Sequence, residues 1–195
     1  MLTAAVSATL AYLAGSLSAA IITCRLLGLP DPRGEGSGNP GATNVLRLGG
    51  KKAAAITLLG DALKGYLPVL LTSAIIGDAP TVALVALAAF LGHLRPVFFN
   101  FRGGKGVATA FGALLGMAPG TGFLAILSWL AIALVFRRSS LAALVTFALV
   151  PIYLLAVGKD TYALAFLIIG VLLFCTHRSN IQRLRDGTEP MIGKR

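Results

Sequence analysis

Residues 107–138 read VATAFGALLGMAPGTGFLAILSWLAIALVFRR. How often this stretch crosses a membrane decides the fold. As one helix from 107 to 136 it would be about thirty residues long, against about twenty for an ordinary span. Pro119-Gly120 offers a break near its middle. Charge chooses between the readings, because cytoplasmic loops concentrate Lys and Arg. Suppose the stretch splits into two crossings and the N-terminus is outside. Then Arg25, Arg33, Arg47, Lys51, Lys52, Arg95, Arg102, Lys105, Arg137, Arg138, Arg178, Arg183, Arg185, Lys194 and Arg195 all face the cytoplasm. Only Lys159 faces outward, and Lys64 lies within a span. A single crossing would move Arg137, Arg138 and the tail cations away from the rest. The split reading obeys the positive-inside rule far better.

Outward from this stretch, apolar segments recur at roughly 2–23, 53–76, 80–100, 107–118, 120–136, 139–157 and 161–176. They predict an all-α membrane protein with about seven transmembrane helices. Its N-terminus is outside, its C-terminus is cytoplasmic, and the fourth segment is short or re-entrant. Composition agrees. The 195 residues are 56% hydrophobic and only 12% charged, whereas a soluble domain carries about 25% charged residues. That leaves too little polar surface for a soluble globule. The first span has no basic flank and no clear small-residue cleavage site, so it reads as retained. Cys24 and Cys175 fall at cytoplasmic helix ends and are expected to be free thiols. No CxxC pair or His/Cys cluster suggests a metal, and none is expected. The +10 charge follows mainly from positive-inside bias, with a remainder suited to anionic lipids or substrates. Nucleic acid is excluded as a partner, because the cations sit at helix ends without an aromatic-interleaved polar surface. No repeat divides the chain, and 1–195 is expected to be a single domain.

Three polar stretches remain, all on the cytoplasmic side. The first runs from Arg33 through Gly36-Ser37-Gly38-Asn39-Pro40-Gly41-Ala42-Thr43-Asn44 to Arg47. Glycines allow successive backbone N–H groups to converge on an anion. Pro40 suits the first turn of a following helix, whose N-terminus attracts phosphate, and Arg47 could close such a site. The bland alternative is a Gly/Asn turn between helices. The second stretch is Phe101-Arg102-Gly103-Gly104-Lys105-Gly106. It is not a Walker A loop, because Phe99 stands where a glycine is required and Gly106 where Ser or Thr is required. A flexible backbone around Lys105 is what remains. An interfacial turn with snorkelling cations is equally consistent. The third stretch, His177-Arg178-Ser179-Asn180 onward to Glu189, puts His177 and Asn180 on one face if the last span continues. An amphipathic end lying on the membrane is its structural alternative. Asp61 and Lys64 sit inside the second span at i,i+3. They form a neutralised structural pair or part of an ion path. His93, near the end of the third span, is more readily structural than catalytic.

Taken in order, these stretches resemble the PlsY family of bacterial integral-membrane acyl-phosphate:glycerol-3-phosphate acyltransferases. The residues that carry the resemblance are Gly36 to Asn44, Phe101 to Thr109, and His177-Arg178-x-Asn180-Ile181-x-Arg183-Leu184. Asp61-x-x-Lys64-Gly65 and Gly92-His93 add to it. The resemblance spans nearly the whole chain. It implies acyl transfer from acyl phosphate to the sn-1 hydroxyl of glycerol 3-phosphate, giving lysophosphatidate and phosphate, the first step of phospholipid synthesis. No cofactor and no acyl-CoA are implied. The partners are the two substrates and membrane lipids, the place is the bacterial inner membrane with the site facing the cytoplasm, and a monomer is a possible state, the oligomeric state being left open by the sequence. Another acyltransferase chemistry uses His-x-x-x-x-Asp, but Phe98 and Gln182 stand five residues after His93 and His177.

The implied catalytic set is Ser37, His177 and Asn180. The implied substrate-binding set is Arg33, Gly38, Asn39, Gly41, Ala42, Thr43, Asn44, Arg47, Gly103, Gly104, Lys105 and Gly106. Asp61, Lys64, His93 and Glu189 are structural or supporting. Ser37 to Asn44 would take the acyl-phosphate head, and Arg47, Lys105, His177 and Asn180 the glycerol 3-phosphate, although the two phosphates could be exchanged. Either His177 or the substrate phosphate accepts the proton. The competing class is a small transporter for an organic phosphate or ion, favoured by Asp61 and Lys64 but lacking inverted repeats.

Overall fold

Apolar segments in lipid fold as helices because the backbone must satisfy its own hydrogen bonds there. The computed structural model describes residues 1–193, and all regular structure among them is helical. Lys194 and Arg195, two of the cations assigned to the cytoplasmic side, lie outside the described residues. The chain falls into two units, Met1–Met117 and Ala118–Arg195.

The first unit contains α1 (Leu2–Gly15), α2 (Ala19–Leu26), α3 (Ala42–Ile75), α4 (Ala79–Leu94) and α5 (Val107–Met117). The first apolar segment is thus two helices, broken at Ser16–Ser18. Ser18 caps α2 by accepting a hydrogen bond from the Ile21 amide at 3.4 Å. α3 starts at Ala42 with Gly41 as its N-cap, so Thr43, Asn44 and Arg47 are helical. Pro40 lies just before the helix and not in its first turn. Gly50, at φ 74°, kinks α3. A 3-10 turn, Val97–Phe99, follows α4. Small residues let the helices approach closely. A Cβ at Gly112 on α5 would overlap the Ala62 carbonyl of α3, and a Cβ at Gly92 on α4 would overlap the Tyr12 carbonyl of α1. Glycine crossings of this kind bring two backbones close enough for dispersion to hold a membrane bundle. The apolar outer face of α3, with Leu59, Leu63, Leu67 and Leu71 exposed, is left for lipid.

The second unit contains α6 (Pro119–Phe136), α7 (Ser139–Ala156), α8 (Asp160–Thr176) and α9 (Arg178–Arg185). α7 packs between α6 and α8. The break in the deciding stretch falls at Ala118, and Pro119 opens α6, where its missing N–H costs nothing. α5 has 11 residues, a rise of about 16 Å, roughly half the hydrocarbon thickness. It is short for a span, as expected. Residues 2–26, α3, residues 79–99, α6 and α7 are each long and apolar enough to cross. α8 passes only together with α9, the pair being bent by 64°. The last span therefore does not continue through the third polar stretch as one straight helix.

Candidate active site

The first polar loop is shaped by Asn44, which is buried in the first turn of α3. Its Oδ1 accepts from the Ser37 amide at 2.9 Å. Its Nδ2 donates to the Pro32 and Glu35 carbonyls, each at 2.9 Å. The side chain is therefore spent on holding the loop and does not present a donor to a ligand. Gly36 has φ +63°, and a Cβ there would overlap Asn44 Oδ1. The amides of Ser37, Gly38 and Gly41 are likewise bonded within the loop. The anticipated nest of loop amides thus contracts to the N-terminus of α3. There the N-cap Gly41 offers no side chain, and the first-turn amides at Ala42 and Thr43 have no acceptor inside the helix. This end favours an anion through the helix dipole. Ser37 and Gly38 are exposed, Asn39 is half-buried, and Arg47 is exposed on α3.

Arg33 is not an open cation. Its Nε and Nη2 bind the Asp31 carboxylate at 2.7–3.2 Å. Its Nη1 donates to the Phe99 carbonyl at 3.2 Å. The Arg33 guanidinium holds the Asp31 carboxyl below its ordinary value. Asp31 was not anticipated, although an Asp-x-Arg spacing was visible. The Arg33–Phe99 bond ties the first loop to the start of the second. A second tie is steric: a Cβ at Gly104 would come 2.9 Å from the Pro40 carbonyl. Gly103, Gly104 and Gly106 are packed against α4, and Gly104 donates to the His93 carbonyl at 3.2 Å. The half-buried Lys105 follows directly. A cleft of about 520 Å³, lined by Asp31, Arg33, Gly34, Asn100 and Arg102, opens where the two loops meet.

Asp61, Lys64 and His93 are buried together beneath the second loop. Lys64 Nζ lies 2.8 Å from Asp61 Oδ1, and His93 Nδ1 lies 3.5 Å from the same oxygen.

In the second unit, His177 sits at the bend between α8 and α9 and is buried. Its Nδ1 is 2.8 Å from the Leu173 carbonyl. A carbonyl only accepts, so Nδ1 carries the hydrogen, and in the neutral ring Nε2 is the acceptor. Asn180 is buried one turn along α9, and its Nδ2 donates to Glu189 Oε1 at 2.6 Å. Ser140 Oγ donates to the same oxygen at 2.5 Å, and Arg183 Nε reaches Oε2 at 2.7 Å. Glu189 is thus the knot of the third stretch. Burial alone would raise its carboxyl, but the hydrogen bonds from Ser140, Asn180 and Arg183 outweigh that and hold it below the ordinary value. Ser140 is the partner that sequence reasoning missed. Its only signal is a hydroxyl at the polar end of an apolar segment.

Two glycine-rich loops are joined in one unit, and the other holds a buried Ser/Asn/Glu knot with His177 one turn away. Residues 5–187 match the glycerol-3-phosphate acyltransferase family. The glycerol-3-phosphate acyltransferase of Thioalkalivibrio sulfidiphilus is 55% identical, covering 95% of this chain and 92% of the relative. That of Methylococcus capsulatus is 54% identical, covering 94% and 93%. The fold is similar to the crystal structure of PlsY (YgiH), an integral membrane glycerol 3-phosphate acyltransferase, in its glycerol 3-phosphate form. The TM-score is 0.94 and the identity 38%, covering 98% of this chain and 96% of that one. The lysophosphatidic acid form gives a TM-score of 0.92. This all-helical membrane protein is an acyltransferase and belongs to the glycerol-3-phosphate acyltransferase family.

Proposed function

We propose that the acyl donor is acyl phosphate and that the sn-1 hydroxyl of glycerol 3-phosphate is the acceptor. The observation that supports this best is the junction of two phosphate-type loops, made by Arg33 on Phe99 and by Gly104 against Pro40. A donor and an acceptor that each carry a phosphate need two such elements side by side. PlsY, to which the fold is similar, was crystallised in glycerol 3-phosphate and lysophosphatidic acid forms, a substrate and a product of this reaction.

The chemistry needs no external activation. The acceptor oxygen attacks the acyl carbonyl carbon, the bond from that carbon to the phosphate oxygen breaks, and phosphate leaves with the electron pair. The hydroxyl proton goes either to that phosphate or to His177 Nε2, the acceptor nitrogen of the ring. The protein contributes by placing the reacting groups and stabilising developing charge. The α3 N-terminus, with Ser37 and Thr43 beside it, is assigned the acyl-phosphate head. Lys105 and Arg47 are assigned the glycerol 3-phosphate, and His177 and Asn180 are assigned to the same substrate on the sequence resemblance alone. The whole chain acts as one catalytic domain, with the site facing the cytoplasm of the bacterial inner membrane. The transporter alternative has given way, since the chain is an acyltransferase.

Purified protein in detergent tests the reading. Acyl phosphate with labelled glycerol 3-phosphate should yield labelled lysophosphatidate with the acyl group at sn-1. Acyl-CoA of the same chain length should yield little. Comparable turnover of acyl-CoA would overturn the donor assignment.

A further inference from the structure

The proposed acyl transfer makes no use of the charged cluster buried under the second loop. Asp61, Lys64 and His93 are 3%, 8% and 6% exposed. Groups of this kind at membrane depth are costly and require a reason. Mutual neutralisation of Asp61 and Lys64 accounts for two of them but not for the histidine. The surroundings supply more. Lys64 Nζ also donates to the Leu17 carbonyl at 2.7 Å, inside the break between α1 and α2. Thr109, at the start of α5, donates from Oγ1 to the Asp61 backbone carbonyl at 2.9 Å. His93 Nδ1 faces the Asp61 carboxylate. The opposite edge of its ring faces the second loop, where a Cβ on Gly104 would overlap Nε2. Gly104 also donates to the His93 backbone carbonyl at 3.2 Å. The imidazole therefore stands between a fixed carboxylate and the backbone residue that precedes Lys105.

We propose that Asp61, Lys64 and His93 form a buried support that sets the position of the Gly103–Lys105 backbone, with His93 as the seat on which Gly104 rests. All three are positioning residues. Lys64 fixes the carboxylate, the carboxylate orients the imidazole, and the imidazole sets where Lys105 begins. The proposal builds on the reading that Lys105 binds glycerol 3-phosphate. Displacement of a binding group by about 1 Å costs on the order of a hundredfold in such sites, so the effect belongs in substrate use before it appears in folding.

A double-mutant cycle on the full-length enzyme in detergent tests this through KM and kcat for glycerol 3-phosphate and through melting temperature. His93→Ala and Gly104→Ala should each raise KM by about tenfold or more, with a smaller change in kcat. The double variant should be less impaired than the product of the two, by about threefold or more, because removing the ring makes room for the new Cβ. Rescue is partial, since the Pro40 carbonyl still lies 2.9 Å from that Cβ. His93→Gln should recover part of the His93→Ala loss. If His93→Ala fails to fold, His93→Gln takes its place in the cycle. Multiplicative effects, or a fall in melting temperature with KM unchanged, would overturn the proposal. Lys105→Ala is the control for the underlying reading. If it leaves KM unchanged, that reading fails, and the positioning role is judged on how fast an amine-acylating reagent modifies Lys105. An unchanged rate in the His93 variants then sinks the positioning role, and a changed rate upholds it.

Discussion

At the residue scale, side-chain geometry reassigns several roles. Gly36 and Gly41 both belong to a glycine-rich loop, but only Gly36 needs to be glycine for conformational reasons. Its φ is +63° and its Cβ position is filled by Asn44 Oδ1. Gly41 is extended at φ −150°, and its Cβ would meet only the movable Asn39 side chain. Gly36→Ala should therefore cost about 1–3 kcal/mol of loop stability and most of the activity, and Gly41→Ala much less. Equal losses on kinetic assay would argue against the Asn44 clamp. Glu189 makes a second case. Its carboxyl is held below the ordinary 4.5, so its contribution is fully present above that value and is lost as pH falls through the lowered one. Glu189→Gln keeps an acceptor for Ser140 and Asn180 but removes the partner of Arg183. It should lower the melting temperature at pH 7 by an amount corresponding to about 1–3 kcal/mol, and the difference from native protein should shrink below pH 4. A constant difference across that range would refute the pairing. For Lys105, loss of a charge-assisted hydrogen bond predicts a weakening of glycerol 3-phosphate use by about ten- to a hundredfold in Lys105→Ala. Lys105→Arg should be milder, as steady-state kinetics would show.

At the element scale, the helices and the break at Pro119-Gly120 were legible, and the finer breaks were not. Five of the seven apolar runs end as helices within a few residues of their expected limits, because length and hydrophobicity fix them, whereas the first splits into α1 and α2 and the second begins at Ala42 instead of residue 53. The kink at Gly50 and the split at Ser16–Ser18 were not read. Ser16 and Ser18 inside an apolar run are compatible with an unbroken helix, where packing decides, and Gly49-Gly50 lies in the polar stretch before the second run, where no helix was expected. The bend at His177 was one of two readings, since Ile181 and Leu184 allow either a continuing span or an amphipathic end lying on the membrane, and the 64° bend favours the second. At the site, the motif residues were legible as types but not as contacts. Asn44, Arg33 and Glu189 all turn inward on other protein groups, and a partner distant in the chain, such as Ser140 for Glu189, leaves no local signature. The helix crossings carry their own expectation. A Cβ on Gly112 overlaps backbone, the Ala62 carbonyl, so Gly112→Ala must push α5 from α3. It should cost more than the roughly 1 kcal/mol that Gly→Ala gains in a free helix. The readout is a lower melting temperature in detergent, and a higher one would show that the crossing has slack.

At the scale of the whole molecule, the orientation in the membrane remains a consequence of charge alone, and it is open to a direct measurement. Every polar stretch argued to bind phosphate must face the compartment that supplies glycerol 3-phosphate, so the charge argument and the catalytic one have to agree. The reporter positions follow from exposure. Glu35, Asp186 and Lys159 are all exposed, and none belongs to the proposed substrate contacts. Cys175 is exposed and Cys24 is buried, so Cys175→Ala supplies the background. In intact cells a membrane-impermeant maleimide should label Lys159→Cys, and it should label Glu35→Cys and Asp186→Cys only after lysis. Labelling of Glu35→Cys and Asp186→Cys on opposite sides would mean an odd number of crossings between them. That outcome would return residues 107–136 to a single span and leave the basic residues divided across the bilayer. Labelling of all three from the same side would require the loop at Lys159 to turn back without crossing. With α7 and α8 at 18 and 17 residues, each rises about 26 Å, close to the hydrocarbon thickness, so the hairpin they form should reach the far surface and expose Lys159 there.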